Sequence, residues 1–146
     1  MRYILLLATP DVILSELSRR LDKEFQISWQ SPANLVLRSG GHIGWLDDEG
    51  CMTDPVTSPW TYLPEELRPL GIATPHVFVL RYSGKGSYQE YLEFLRRSLL
   101  LLADDQRIWI DDDYTEPTFV RGPEVIARIR REPEWNLGIP SPDPPR

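Results

Sequence analysis

Two apolar runs of strand length, each handing over to a helical pattern, constrain this chain more than any other feature. Tyr3-Ile4-Leu5-Leu6-Leu7-Ala8 is continuously apolar and stops at Thr9-Pro10-Asp11. An unbroken run of that length reads as a strand covered on both faces, which only the interior of a sheet supplies. His76-Val77-Phe78-Val79-Leu80-Arg81-Tyr82 has the same character and stops at Ser83-Gly84-Lys85-Gly86. Behind the first run, Ile13, Leu17, Leu21 and Phe25 recur at steps of four, with Leu14 widening the stripe. Thr9 as N-cap, Pro10 at the first helical position and the late cations Arg19, Arg20 and Lys23 predict a helix over 11–24. Behind the second run, Ser87 and Glu90 have capping-box spacing. Tyr91, Leu92, Leu95, Leu99 and Leu102 then line one face, predicting a helix over 88–103.

Between these units the pattern is that of strands. Gln26-Ile27-Ser28-Trp29 alternates, and Leu35 to Leu46 folds back on itself around Gly40-Gly41 as a hairpin. Asp47-Asp48-Glu49-Gly50 reads as the exposed turn that follows. Pro55, Pro59, Pro64, Pro69 and Pro75 then forbid a long regular element, so the stretch from Thr53 to Pro75 is expected to be a connecting excursion. Arg107-Ile108-Trp109-Ile110-Asp111 is a short strand, and Gly122-Pro123-Glu124 opens a last helix through Val125, Ile126 and Ile129. Trp29 and Trp109, lying within strand patterns, are expected in the core. The order β-α-β-β-β-α-β predicts an α+β fold: a ferredoxin-like sandwich with a Pro-rich insertion and a short C-terminal helix. It occupies 1–137 as one domain, with 138–146 an extended or disordered Pro-rich tail.

Charge narrows the function. Of the 22 acidic residues, 14 lie between Asp47 and Glu116, against six Lys or Arg, within a chain of net charge −6. Such a balance disfavours binding to phosphate backbones or anionic membranes, both of which need clustered cations. The apolar start is too short for a signal sequence, and Leu99 to Ala103 is too short to span a bilayer, so a soluble, cytoplasmic protein is expected. Cys51 is the sole cysteine, which excludes an intramolecular disulfide and fits a reducing compartment.

No chemistry-bearing motif competes with the acidic clusters. Asp111-Asp112-Asp113 lacks the spacing of a calcium loop; on a strand only Asp111 and Asp113 would converge, so a solvated partner surface is the better reading and no metal or cofactor is expected. His42, His76 and Cys51 belong to no recognisable triad or zinc pattern. Ser83-Gly84-Lys85-Gly86-Ser87 precedes a helix as a phosphate cradle would, but Lys85 falls between the glycines and the P-loop pattern is missing. Aromatic residues lie beside the acids, at Trp45, Trp60 and Tyr114. Aromatic anchors next to fixed charge suit a protein interface. The candidate partner-binding residues are therefore Asp47, Asp48, Glu49, Asp111, Asp112, Asp113, Trp45, Trp60 and Tyr114.

The cadence of Arg107-Ile108-Trp109-Ile110-Asp111-Asp112-Asp113-Tyr114, then Gly122-Pro123-Glu124-Val125-Ile126-Ala127-Arg128-Ile129, then Glu132-Pro133-Glu134-Trp135 resembles the ends of small cytosolic immunity proteins. These are encoded beside bacterial polymorphic toxins and target the toxin C-terminal domain. The resemblance spans residues 76–136 and implies a bacterial, non-enzymatic protein that binds and neutralises one cognate toxin. Clustered carboxylates would steer association with a basic toxin domain. Two alternatives remain beside it. One is a small metal-dependent or carboxylate-based enzyme using Asp111 and Asp113, and the other a ligand-binding regulatory domain; the oligomeric state is open in either case.

Overall fold

The architecture follows from placing the two apolar runs side by side. In the computed structural model, residues 3–51, 69, 74–83, 86–111 and 119–139 are described. They form β1 (Tyr3–Ala8), α1 (Leu14–Leu21), β2 (Gln26–Ser31), β3 (Asn34–Ser39), β4 (His42–Cys51), β5 (His76–Tyr82), α2 (Tyr88–Leu102), β6 (Ile108–Asp111), β7 (Phe119–Arg121) and α3 (Gly122–Arg131). The seven strands make one sheet in the order β2-β3-β4-β5-β1-β6-β7, with every neighbouring pair antiparallel. The expected α+β class holds. β7 is an addition, too short at three residues to announce itself by alternation.

β1 lies inside the sheet, between β5 and β6, and is apolar on both faces for that reason. Ile4, Leu6 and Ala8 point into the main core with Phe78, Leu80, Ile108, Ile110 and the apolar faces of all three helices described. Leu5 and Leu7 point the other way, into a second cluster with Val77, Val79, Trp109 and Phe119. The strand thus belongs to two cores at once, and Trp109 is buried as expected.

Contacts distant in sequence revise several local expectations. The first helix starts at Leu14 rather than Asp11, and its N-cap is Ile13, not Thr9. The backbone N–H of Thr9 is instead committed to the carbonyl of Arg107 at 3.0 Å, and the Thr9 hydroxyl donates to the Asp11 carboxylate. Ile13 is therefore left 51% exposed, while Leu14, Leu17 and Leu21 carry the buried stripe. Trp29 is not a core residue: β2 is the sheet's outer strand, and Trp29 is 49% exposed on it. Residues 47–50 form no turn, since β4 runs on to Cys51 with a bulge between Asp48 and Gly50. The second helix matches its expected span, with the Ser87 hydroxyl accepting the Glu90 N–H at 3.1 Å. Beyond α3, Leu137 and Ile139 are both buried, and the Tyr88 hydroxyl donates to the Ile139 carbonyl.

Two devices hold the helices in place. Gly44 of β4 leaves room for Phe94 of α2, since a Cβ there would stand 2.5 Å from the Phe94 ring and 2.8 Å from the Arg81 carbonyl oxygen. On the other side, Asp105 accepts from the Arg107 guanidinium at 2.8 Å and from Arg20 at 2.6 Å. Arg107 also reaches Glu16 at 2.6 Å and Asp11 at 2.9 Å, while Arg20 donates to the Leu102 carbonyl at 2.9 Å. This network ties α1 to the end of α2 and to the approach to β6. Chiefly the Arg107 side chain, then the Arg107 backbone N–H and Arg20, hold the Asp105 carboxyl far below the usual carboxylate range despite its burial. Because the folded value is depressed, the stabilisation is complete above the unfolded pKa, near 4, and is lost as pH falls below it. Asp105→Asn is expected to cost about 2 kcal/mol at neutral pH. Urea midpoints from pH 7 to 2 check this: the gap between the two proteins should narrow below about pH 4, and a gap that stays constant would refute the linkage.

Candidate partner-binding surface

The sheet face turned away from the helices carries three of the residues singled out from the sequence, Trp45, Asp47 and Asp111. On β4, side chains alternate, so Gly44 and Leu46 face the helices while Trp45 and Asp47 face outward. Trp45 stands opposite Val36 on β3 and Arg81 on β5, and Arg81 in turn stands opposite Tyr3 on β1. The Arg81 guanidinium lies 5.5 Å from the Trp45 ring centre, covering part of it. Trp45 is half-buried, and Tyr3 is 42% exposed.

Asp47 lies on the next row of the sheet, opposite Val79. It is not a free acid. Its carboxylate is 2.6 Å from the Arg81 guanidinium and accepts from Asn34 Nδ2 at 2.7 Å, and the residue is only 5% exposed. Asp48 is held as well, 2.6 Å from His76 Nε2 and accepting the Gly50 N–H at 2.8 Å across the bulge. His76 is itself buried and stacks on Phe78 with ring centres 4.2 Å apart. Glu49, at the bulge, is exposed. The expectation of three equivalent exposed carboxylates is thus corrected. Two are partnered within the fold, because a buried carboxylate without a cation or donor would be costly; Asp48 lies on the helix side, opposite Phe78, and of the three only Glu49 is exposed.

Strand order brings the second acidic cluster to the same side. β6 pairs with β1 through Leu6–Ile110 and Leu7–Trp109. Continuing that register by one residue sets Asp111 opposite Leu5, and alternation puts it on the outward face with Trp109. Asp47, Val79, Leu5 and Asp111 therefore share one row across β4, β5, β1 and β6, with the acids three strand spacings, about 14 Å, apart. Asp111 is half-buried at its end. Asp112, Asp113, Tyr114 and Trp60 lie outside the described residues, as does most of the Pro-rich stretch. Sequence reasoning did not single out Tyr3, Arg81 or Arg38 on this face. The first two lie near the ends of apparently ordinary strands, and only the register sets them beside Trp45.

His42, the other chemistry-bearing histidine, has structural partners. His42 Nδ1 and the Tyr82 hydroxyl are 2.8 Å apart, and His42 Nε2 lies 3.8 Å from the Glu90 carboxylate. Burial, with Glu90 adding to it, raises the Tyr82 phenol above its ordinary value, so it stays neutral at physiological pH. Glu90 sits in the first turn of α2, where it occupies the end that would otherwise attract a phosphate. Cys51 is exposed and stands opposite His76 in the ladder. Among the described residues no group of three or more His, Cys, Asp or Glu is arranged to hold a metal ion, and no helix is long and apolar enough to cross a membrane. Comparison with known protein families, curated proteins and solved structures returned no match.

Proposed function

We propose that this chain is an immunity-type binding protein that neutralises a cognate bacterial toxin domain in the cytoplasm, using the accessible border of the sheet face turned away from its helices, around the buried centre of that face. The observation that carries the reading is that Asp47 and Asp111, one from each acidic segment, reach the same face of the sheet, where its buried centre of Leu5, Leu7, Val77 and Val79 is bordered by half-buried Trp45 and Asp111 and by exposed Tyr3. Aromatic side chains flanked by carboxylates suit a basic, partly apolar partner. Within the face the roles divide. Glu49 and Asp111 would steer the partner, Trp45 and Tyr3 would be covered by it, and the Asp47–Arg81 pair would keep the Trp45 ring in place. A ferredoxin-like wiring goes with this proposal. The inner strands run β4-β5-β1-β6 with α2 crossing from β5 to β6, and β2 and β3 extend that unit as a hairpin.

Affinity capture of the tagged chain from its native lysate, at low and at high salt, tests the reading. A single basic protein retained at low salt and depleted at high salt is the expected result. With that protein in hand, Glu49→Lys and Asp111→Lys should each lower the association rate about three- to tenfold at low ionic strength, with a smaller effect on dissociation. Rates unchanged in both variants would remove this face from the interface.

A further inference from the structure

Among the described residues, nothing gives the outer edge of strand β2 the usual protection. Its six residues, Gln26-Ile27-Ser28-Trp29-Gln30-Ser31, include no charge and no proline, in a chain where 26% of residues are charged. Edge strands are ordinarily blunted by lysine, proline, brevity or cover, because their outer N–H and C=O groups are a template for another strand. β7, at the opposite edge, is only three residues long. β2 is exposed along most of its length, and Trp29, 49% exposed, is the largest apolar side chain on it.

We propose that β2 pairs antiparallel with β2 of a second copy of this chain, across a two-fold axis through Ser28. The placement of the apolar residues selects both the occupant and the register. Ile27 and Trp29 stand opposite Leu37 and Leu35 of β3, so both lie on the helix side of the sheet, symmetrically about Ser28. A two-fold at Ser28 sets each Trp29 directly opposite the partner's Ile27, which covers the exposed indole twice by one operation. The same operation pairs Gln26 with Gln30 and brings the charged Lys23 and Glu24 toward the uncharged Pro32 and Ala33. No acidic side chain meets another at the contact itself, so the repulsion between two copies of net charge −6 is long-range and open to screening by salt.

Arg38 is the charge nearest the axis, donating to Ser28 Oγ at 3.3 Å from within the same subunit. Its approach to its own counterpart, and the net charge of both copies, oppose association and are screened by salt. A strand contact of this size lies below that of a standard stable interface, so the dimer is weak, with a dissociation constant on the order of 100 µM, and tightens as salt rises. That salt response is opposite to the one expected of the toxin complex, and this inference does not depend on the toxin reading.

Sedimentation equilibrium of the full chain, up to about 1 mM and at two ionic strengths, tests the pairing. The wild type should dimerise more tightly at the higher salt. Ser28→Lys, which sets two lysines directly opposite each other at an exposed position, should be monomeric throughout while remaining folded, its unfolding midpoint lowered only slightly by the cation set beside Arg38. Mixing S28K with S28E should restore dimers, since Ser28 alone faces its own counterpart. A wild type that remains monomeric overturns the proposal and leaves the edge to a strand from a different protein. An S28K variant that dimerises like wild type overturns it equally.

Discussion

Gly122→Ala should be among the most damaging single-atom additions to this protein. Gly122 is buried at the first position of α3, where a Cβ would stand 1.9 Å from the carbonyl oxygen of Ala103 and 2.9 Å from its carbonyl carbon. Ala103 caps the end of α2 and is fully buried, its N–H bonded to Leu99 at 2.8 Å. The obstacle is backbone, so no rotamer change relieves it, and α3 must back away from α2 and from β6. Overpacking of a well-filled site costs 1–3 kcal/mol, and a carbonyl that cannot yield sets this case at about 3 kcal/mol or more. Against a total stability of roughly 5–15 kcal/mol, the midpoint of thermal unfolding should fall by about 10 °C. Gly41→Ala is the control. It shares the added methyl at a φ of +85° but meets nothing within 4 Å, so it pays backbone strain alone. Calorimetry of the two variants decides between them; a Gly122→Ala protein as stable as Gly41→Ala would mean that α2 and α3 do not meet at this carbonyl.

Arg81→Leu should cost a further 3–5 kcal/mol at neutral pH, the usual penalty for orphaning one member of a buried ion pair. The side chain of Asp47 is 8% exposed and that of Arg81 is 35% exposed, so the two partners are not equivalent. Removing the arginine strands a carboxylate that keeps Asn34 as its described donor. Removing the carboxylate leaves a guanidinium already in reach of water. Asp47→Val should therefore be milder than Arg81→Leu, and the double variant should recover most of the loss of the latter, because two apolar side chains replace the pair. Urea denaturation of the four proteins gives the coupling directly. Additive single effects, with no recovery in the double variant, would show that the pair is not what confines Asp47.

What could be read from the sequence divides along a physical line. β1, β5, the β3–β4 hairpin and α2 were legible because their signals are local: a continuous apolar run, a glycine pair, a capping serine. Features that depend on residues far along the chain were not. The start of α1 shifted because the Thr9 N–H pairs with Arg107, and no propensity near Thr9 reports that bond. Three consecutive carboxylates at Asp47 to Glu49 resemble a turn in any local scale. They continue a strand because Arg81 and His76, some thirty residues on, supply partners for two of them. Trp29 has the alternation of a half-buried strand, but which strand ends up outermost is a property of the whole sheet. The candidate surface was half legible for the same reason: its residue types were visible, their shared face was not.

The interior position of β1 carries a consequence for synthesis. Its neighbours in the sheet begin at His76 and at Ile108, so the most apolar strand leaves the ribosome long before anything exists to pair with it. At 5–20 residues per second, the 67 residues between Ala8 and His76 take about 3–13 s to make. The β2-β3-β4 meander needs only itself and is free to assemble during that interval. Throughout it, the segment Tyr3 to Ala8 is an unpaired apolar strand, the sort of sequence that chaperones bind and that aggregates seed from. The nascent chain is thus most vulnerable early, and slowing translation between β4 and β5 should lower soluble yield more than slowing it after β6.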